Sequence, residues 1–136
     1  MTERKGRILV VDDSDAILSH LSDVLGRGGY DVVTTSKTTG VQRVLDDCDL
    51  AVIDYHMPGV TGADLVQSLR KSMGFRERSC LLYLYTSDES VAAKYRTYGF
   101  DGALTSKGND AALLAQVDAV FRIRALRSLA PRGPRR

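Results

Sequence analysis

The stretch Leu50-Ala51-Val52-Ile53-Asp54-Tyr55-His56-Met57-Pro58-Gly59-Val60-Thr61-Gly62 decides how the rest of the chain is read. An apolar run of only four residues suits a buried strand better than a helix. The run ends in one carboxylate, Asp54, and Met57-Pro58-Gly59 turns the chain soon after it. A parallel strand that stops on a charged residue delivers that charge to the carboxyl edge of its sheet. In open α/β sheets that edge is where ligands bind. Taken alone, Asp54 is equally well read as a loop-capping residue. The other segments decide between the two.

Upstream, Ile8-Leu9-Val10-Val11 has the same form and ends in Asp12-Asp13. Ser14 then suits a helix N-cap, with Ile17, Leu18, Leu21, Val24 and Leu25 at helical spacing. Gly26, Gly28 and Gly29 close that helix. A second strand is expected over 30–34 and a short helix over 39–47. Downstream of Asp54 the pattern predicts a helix over 63–73, a polar loop over 76–79 and a fourth strand over 80–85. That strand ends in Thr86-Ser87. One helix over 88–98, stopped by Gly99, leads to a weak fifth strand over 100–105 and then Ser106-Lys107. Asn109 or Asp110 opens a last helix that carries Leu113, Leu114, Val117, Val120 and Phe121 on one face and runs to about 128. Five strands alternating with five helices predict an α/β fold, a parallel sheet with helices on both faces and right-handed crossovers.

The 136 residues fit one domain, with 43% hydrophobic and 26% charged residues, ordinary for a globular protein. No apolar run approaches the ~20 residues a membrane span needs, and the polar start lacks a secretory pattern. Cys48 and Cys80 have no metal-binding spacing and are expected to be reduced and half-buried, in a cytoplasmic protein. The net charge of +2 hides an asymmetry. Residues 1–121 hold all 17 acidic residues against 13 basic ones, while 122–136 hold six Arg and no acid. A globular body over 1–125 with a basic, unstructured tail over 126–136 is expected. The tail reads first as a solvated terminus and second as a contact for an acidic partner, nucleic acid or an anionic membrane.

Each notable strand end carries a polar group: Asp12 and Asp13, Asp54, Thr86, and Lys107. One by one these are ordinary capping or loop residues. In a parallel sheet they share one edge, and their joint occurrence on four strands is far less ordinary. Two carboxylates about 4 Å apart repel by about 4 kcal/mol at an effective dielectric near 20. Such a cluster calls for a cation or a raised pKa. An all-oxygen set suits Mg²⁺. A metal, a lysine and a hydroxyl facing one carboxylate point to phosphoryl transfer onto that carboxylate.

With these residues in place, roughly residues 6–125 resemble the receiver domain of two-component response regulators, of the stand-alone, chemotaxis-regulator-like kind. The matching signature is Asp12-Asp13, then Asp54-Tyr-His-Met57-Pro58-Gly-Val-Thr-Gly62, then Thr86 and Lys107. The resemblance implies a (βα)5 flavodoxin-like sheet of strand order 2-1-3-4-5. It implies that Asp54 is the phosphoacceptor for a histidine kinase or histidine phosphotransfer protein. It makes Asp12, Asp13, Asp54 and the backbone carbonyl of His56 the Mg²⁺ ligands. Lys107 and Thr86 become the phosphate-contacting groups, and Thr86 the switch. His56 and Asp88 hold the places that tune acyl-phosphate lifetime. The first helix is then the donor-docking face, and the region of the fourth helix, fifth strand and last helix the output face for a downstream protein target.

Two places depart from the family. Gly108 follows Lys107 where Pro is usual, after a cis peptide. The switch aromatic, counted three residues back from the lysine, falls on Leu104, beside Ala103, in a segment one residue longer than usual. The usual Thr-plus-aromatic coupling is therefore expected to be altered or absent. The favoured reading is a phosphorylation-controlled protein-binding switch or relay intermediate, not an enzyme, with no DNA-binding domain. The alternative is a pseudo-receiver that binds partners constitutively. A phosphatase of the haloacid-dehalogenase type fails for want of a second Asp at position 56.

Overall fold

The computed structural model describes residues 5–72 and 80–129. The elements are β1 (Arg7–Val11), α1 (Asp15–Arg27), β2 (Asp31–Thr35), α2 (Val41–Leu45), β3 (Leu50–Asp54) and α3 (Gly62–Ser72). They continue with β4 (Leu81–Tyr85), α4 (Glu89–Ala92), α5 (Tyr95–Tyr98), β5 (Gly102–Leu104) and α6 (Asp110–Leu129). The strands form one sheet in the order β2-β1-β3-β4-β5, and every pairing is parallel. The expected 76–79 loop and residues 130–136 of the basic tail lie outside the described residues.

All five residues of β3 are buried, as its apolar run requires. Successive strand residues point to opposite faces, and two apolar layers result. Val11, Ile53 and Leu84 pack with Leu45, Val66 and Leu69 on one face. Val10, Val52 and Tyr85 pack with Leu21, Leu25, Leu113 and Val117 on the other, beneath α1 and α6. A fully buried aliphatic side chain contributes about 1.5–3 kcal/mol, so these layers hold the strand ends in place. Cys48 and Cys80 are free and fully buried in the first layer, deeper than the half-burial expected from sequence.

Local signals set the helix ends. The Ser14 side chain accepts from the Ile17 amide, as an N-cap should. Gly26 lies within the last turn of α1, and Gly28 caps it. Asn109 opens α6, its side chain accepting from the Ala112 amide at 3.0 Å. His20, on α1, meets Asp110 at the start of α6 at 2.8 Å. Helix α6 passes through the expected domain end at 125 and continues to Leu129. Arg124 on that helix lies 3.3 Å from Asp49, so this part of the basic segment is fastened to the body.

The single helix expected over 88–98 is two short ones. The Lys94 amide donates to the Val91 carbonyl, three residues back. That tightened turn ends α4 and restarts the chain as α5, and both Tyr95 and Tyr98 pack against the core. Gly99, at φ +95°, closes α5 as expected.

Gly62 packs against the strand that carries Asp54. Its amide donates to the Tyr55 carbonyl at 2.8 Å, and a Cβ there would lie 2.4 Å from the Asp54 carbonyl oxygen. Gly62→Ala is expected to destabilise the fold by about 1–3 kcal/mol, since backbone must shift to admit the methyl. Gly26→Ala, where the added Cβ meets nothing within 4 Å, is expected to stabilise it by about 0.5–1 kcal/mol. Urea unfolding of the two variants checks both signs.

Candidate functional site

Strand register builds the site. Val11 pairs with Ile53, Asp54 with Tyr85, and Tyr85 with Leu104. One step beyond Val11, Asp12 comes level with Asp54. A row Asp12, Asp54, Tyr85, Leu104 thus crosses the carboxyl edge of the sheet. The carboxylate oxygens of Asp12, Asp13 and Asp54 lie within 4.8 Å of one another. Asp12 and Asp54 are buried, at 1% and 6% exposure, and Asp13 is exposed.

Lys107 returns over this row from the loop after β5. Its Nζ is 3.3 Å from Asp54 Oδ1 and 5.0 Å from the centroid of the Tyr85 ring. Gly108 has φ +92°, a backbone setting that favours glycine, and the Lys107–Gly108 peptide is trans.

Asp12 Oδ1 accepts from the Ser14 amide at 2.9 Å, while its Oδ2 is buried with no hydrogen-bond partner. Burial is the main cause that raises the Asp12 pKa. The Ser14 amide opposes it, Asp54 and Asp13 add to it, and Lys107 opposes it again. Burial likewise pushes the Tyr85 hydroxyl up to about 12, with Asp110, Asp12 and Asp54 adding to the effect. An orphaned buried oxygen, in an all-carboxylate set with one lysine, fits a hard divalent cation such as Mg²⁺. Three side chains supply oxygen, and the exposed flank at Asp13 leaves room for water.

The loop after Asp54 is held in place. Thr61 and Asp64 exchange hydrogen bonds, each side chain accepting from the other's amide at 3.1 Å. The Tyr55 ring packs on Tyr98 of α5 with centroids 5.3 Å apart. His56 is exposed on this loop, its ring edge-on to Tyr55.

Thr86 is buried at the end of β4. Its hydroxyl accepts from the Asp88 amide at 3.0 Å, and its own amide donates to the Leu104 carbonyl. Asp88 caps α4. The Ser90 hydroxyl, then the Val91 and Ser90 amides, hold its carboxyl below the usual range.

Leu104, expected at the switch position, lies in the row that carries Asp54 and Tyr85. It is buried with Tyr85 beneath α1 and α6. The β5 residue on the face that carries Leu84 is Ala103. Ala103 lines an open groove of about 690 Å³ with Tyr83, Ser87, Glu89, Tyr95 and Thr105. Tyr85 went unremarked as a site residue. In the sequence it is one aromatic of a strand, and only register sets it beside Asp54.

A family model for the response regulator receiver domain matches residues 8–118. The chain belongs to that family. Among curated relatives, the transcriptional regulatory protein CpxR of Escherichia coli K12 is 27% identical over 117 residues, covering 85% of this chain and 49% of CpxR. The uncharacterized transcriptional regulatory protein YrkP of Bacillus subtilis is 40% identical over 67 residues, covering 48% of this chain and 29% of YrkP. The receiver thus spans less than half the length of either. Among solved structures, chemotaxis protein CheY4 of Vibrio cholerae shares the fold with a TM-score of 0.72 at 23% identity, covering 88% of this chain and 99% of CheY4. TrrA of Thermotoga maritima, solved in complex with Mg²⁺-BeF, shares it with a TM-score of 0.69 at 24% identity, covering 84% of this chain and 97% of TrrA. The receiver fold and strand order are those expected from sequence. Among the described residues no helix is long and apolar enough to cross a membrane.

A raised folded-state pKa favours folding only while the group is protonated. The Asp12 contribution is present below the ordinary carboxylate pKa and lost as pH rises through the folded value. At neutral pH the receiver therefore carries Asp12 as a cost. Asp12→Asn is expected to stabilise the metal-free protein by about 1–2 kcal/mol and to reduce the rise in melting temperature on adding Mg²⁺. Thermal unfolding in chelator and in Mg²⁺ checks both.

Proposed function

We propose that this receiver is a phosphorylation-controlled protein-binding switch, in which Asp54 accepts a phosphoryl group from a histidine kinase or histidine phosphotransfer protein. One observation carries the reading: Asp54 stands at the sheet edge among two further carboxylates, with Lys107 at 3.3 Å. A structural aspartate needs no such company.

Asp12, Asp13, Asp54 and the His56 carbonyl would hold Mg²⁺, in keeping with the Mg²⁺-BeF complex of TrrA. Bound there, the ion offsets carboxylate repulsion and draws charge from the transferring phosphoryl oxygens. An Asp54 oxygen attacks phosphorus and the P–N bond of the phosphohistidine breaks. Its electron pair returns to the imidazole nitrogen, which takes up a proton. Lys107 moves from Asp54 Oδ1 to a phosphoryl oxygen. The Thr86 hydroxyl, which accepts from the Asp88 amide, is free to donate its own proton to the phosphoryl group. Phosphorylation takes the side chain from one negative charge to about two and adds strong acceptor oxygens, and the rearrangement around them supplies the differential contact a switch needs. Hydrolysis of the acyl phosphate resets it, so the protein is a phosphoacceptor rather than an enzyme acting on a separate substrate. We assign it to the cytoplasm, where its phosphodonors work. The absent β5 aromatic is what favours a constitutive pseudo-receiver. The complete acidic set with Lys107 outweighs it.

Intact-mass measurement after treatment with acetyl phosphate and Mg²⁺ is expected to show one added phosphoryl group in the native protein and none in Asp54→Asn. An unlabelled native protein would favour the pseudo-receiver. His56→Ala and Asp88→Ala are expected to change the lifetime of the phosphorylated form several-fold with little effect on melting temperature. Timed loss of the label measures it.

A further inference from the structure

The ammonium of Lys107 has two neighbours of different kinds. One is Asp54 Oδ1, at 3.3 Å. The other is the ring of Tyr85, whose centroid lies 5.0 Å away. Tyr85 is 5% exposed and stands level with Asp54 in the pairing of β3 with β4. The Lys107 side chain is 26% exposed, so its charge is partly withdrawn from water. Attraction between a cation and a ring face grows under that condition.

The backbone beside the lysine is tied down, by the Ser106 hydroxyl donating to Gln116 Oε1 and the Asn109 amide donating to the Ser106 carbonyl, but neither contact holds the Lys107 side chain. Gly108 follows it at φ +92°, and a Cβ built there would meet nothing within 4 Å. The long, flexible stem of Lys107 therefore depends on what its ammonium touches. Asp54 cannot be a lasting tether, because on the reading above its oxygen becomes the attacking atom. The ring claims none of the three N–H donors in a fixed direction. It can hold the ammonium while those donors pass from carboxylate to phosphoryl oxygen.

We propose that Tyr85 is a positioning residue for chemistry at Asp54: the face of its ring keeps the Lys107 ammonium in the pocket before and after the phosphoryl group arrives. The proposal rests on the reading of Asp54 as phosphoacceptor. A leucine at position 85 fills core space but exerts no such pull, whereas phenylalanine keeps the ring face.

The test uses the full chain with ¹³C-labelled lysine, as native protein, Tyr85→Phe, Tyr85→Leu and Tyr85→Met, the last of about leucine's volume but unbranched and better able to adapt to the space the ring leaves. Two quantities are read: the ε-methylene shift of Lys107 without phosphodonor, and the rate of labelling by acetyl phosphate with Mg²⁺. The Lys107 resonance, assigned by its loss in Lys107→Ala, is expected upfield in native protein and Tyr85→Phe, and near the solvent-exposed lysine position in Tyr85→Leu and Tyr85→Met. Tyr85→Phe is expected to label within about twofold of native protein, and Tyr85→Leu and Tyr85→Met roughly three- to tenfold more slowly. In a Lys107→Ala background, Tyr85→Leu is expected to cause no further loss. A native Lys107 resonance without an upfield shift overturns the proposal. So does a folded Tyr85→Leu or Tyr85→Met that labels at the native rate, a Tyr85→Phe as slow as Tyr85→Leu, or an equal loss without Lys107. Native protein that takes no label overturns the phosphoacceptor reading and this one with it. Native labelling that is indifferent to the ring overturns this one alone.

Discussion

Three carboxylates held within 4.8 Å of one another repel, and they stay together because apolar pairing behind them leaves no alternative. Asp12 and Asp54 end strands whose preceding residues are fully buried. Both faces of these strands are packed, so slipping either by one residue would press Val10, Val11, Val52 and Ile53 into spaces shaped for other side chains. The sheet interior thus stores an unfavourable charge arrangement at its rim, and the stored repulsion is what gives the rim an appetite for cations.

Lys107 answers part of that appetite from within the chain. It comes from β5, the shortest strand, across the row from Asp12. The same pocket therefore contains its own provisional counter-ion. Its hold on Asp54 has to be firm enough to keep the lysine there and loose enough to be exchanged. A salt bridge shared with a ring face meets both conditions better than either contact alone.

Where a signal was local, the sequence was readable. The apolar run 50–53 with its terminal Asp54 coincides with β3, and Ser14 caps α1 as its position suggests. The convergence of Asp12, Asp13, Asp54 and Lys107 followed from one rule about parallel strand ends. What escaped depends on partners distant in the chain. Val91, Ala92, Tyr95 and Tyr98 keep helical spacing, so nothing local announces the tightened turn at Lys94. The face that Leu104 takes shows only in its pairing with Tyr85. Tyr85 itself looks like any strand aromatic until register brings it beside Asp54.

The three-residue β5 lies at the sheet's margin, paired within the sheet to β4 alone. Gly102 within it leaves a gap that the Tyr83 ring occupies from the neighbouring strand. The fully buried β3 at the centre is the rigid anvil of the molecule, and β5 its compliant rim. By that placement a disturbance at the pocket meets fewer strand pairings to resist it at the margin than in the middle of the sheet.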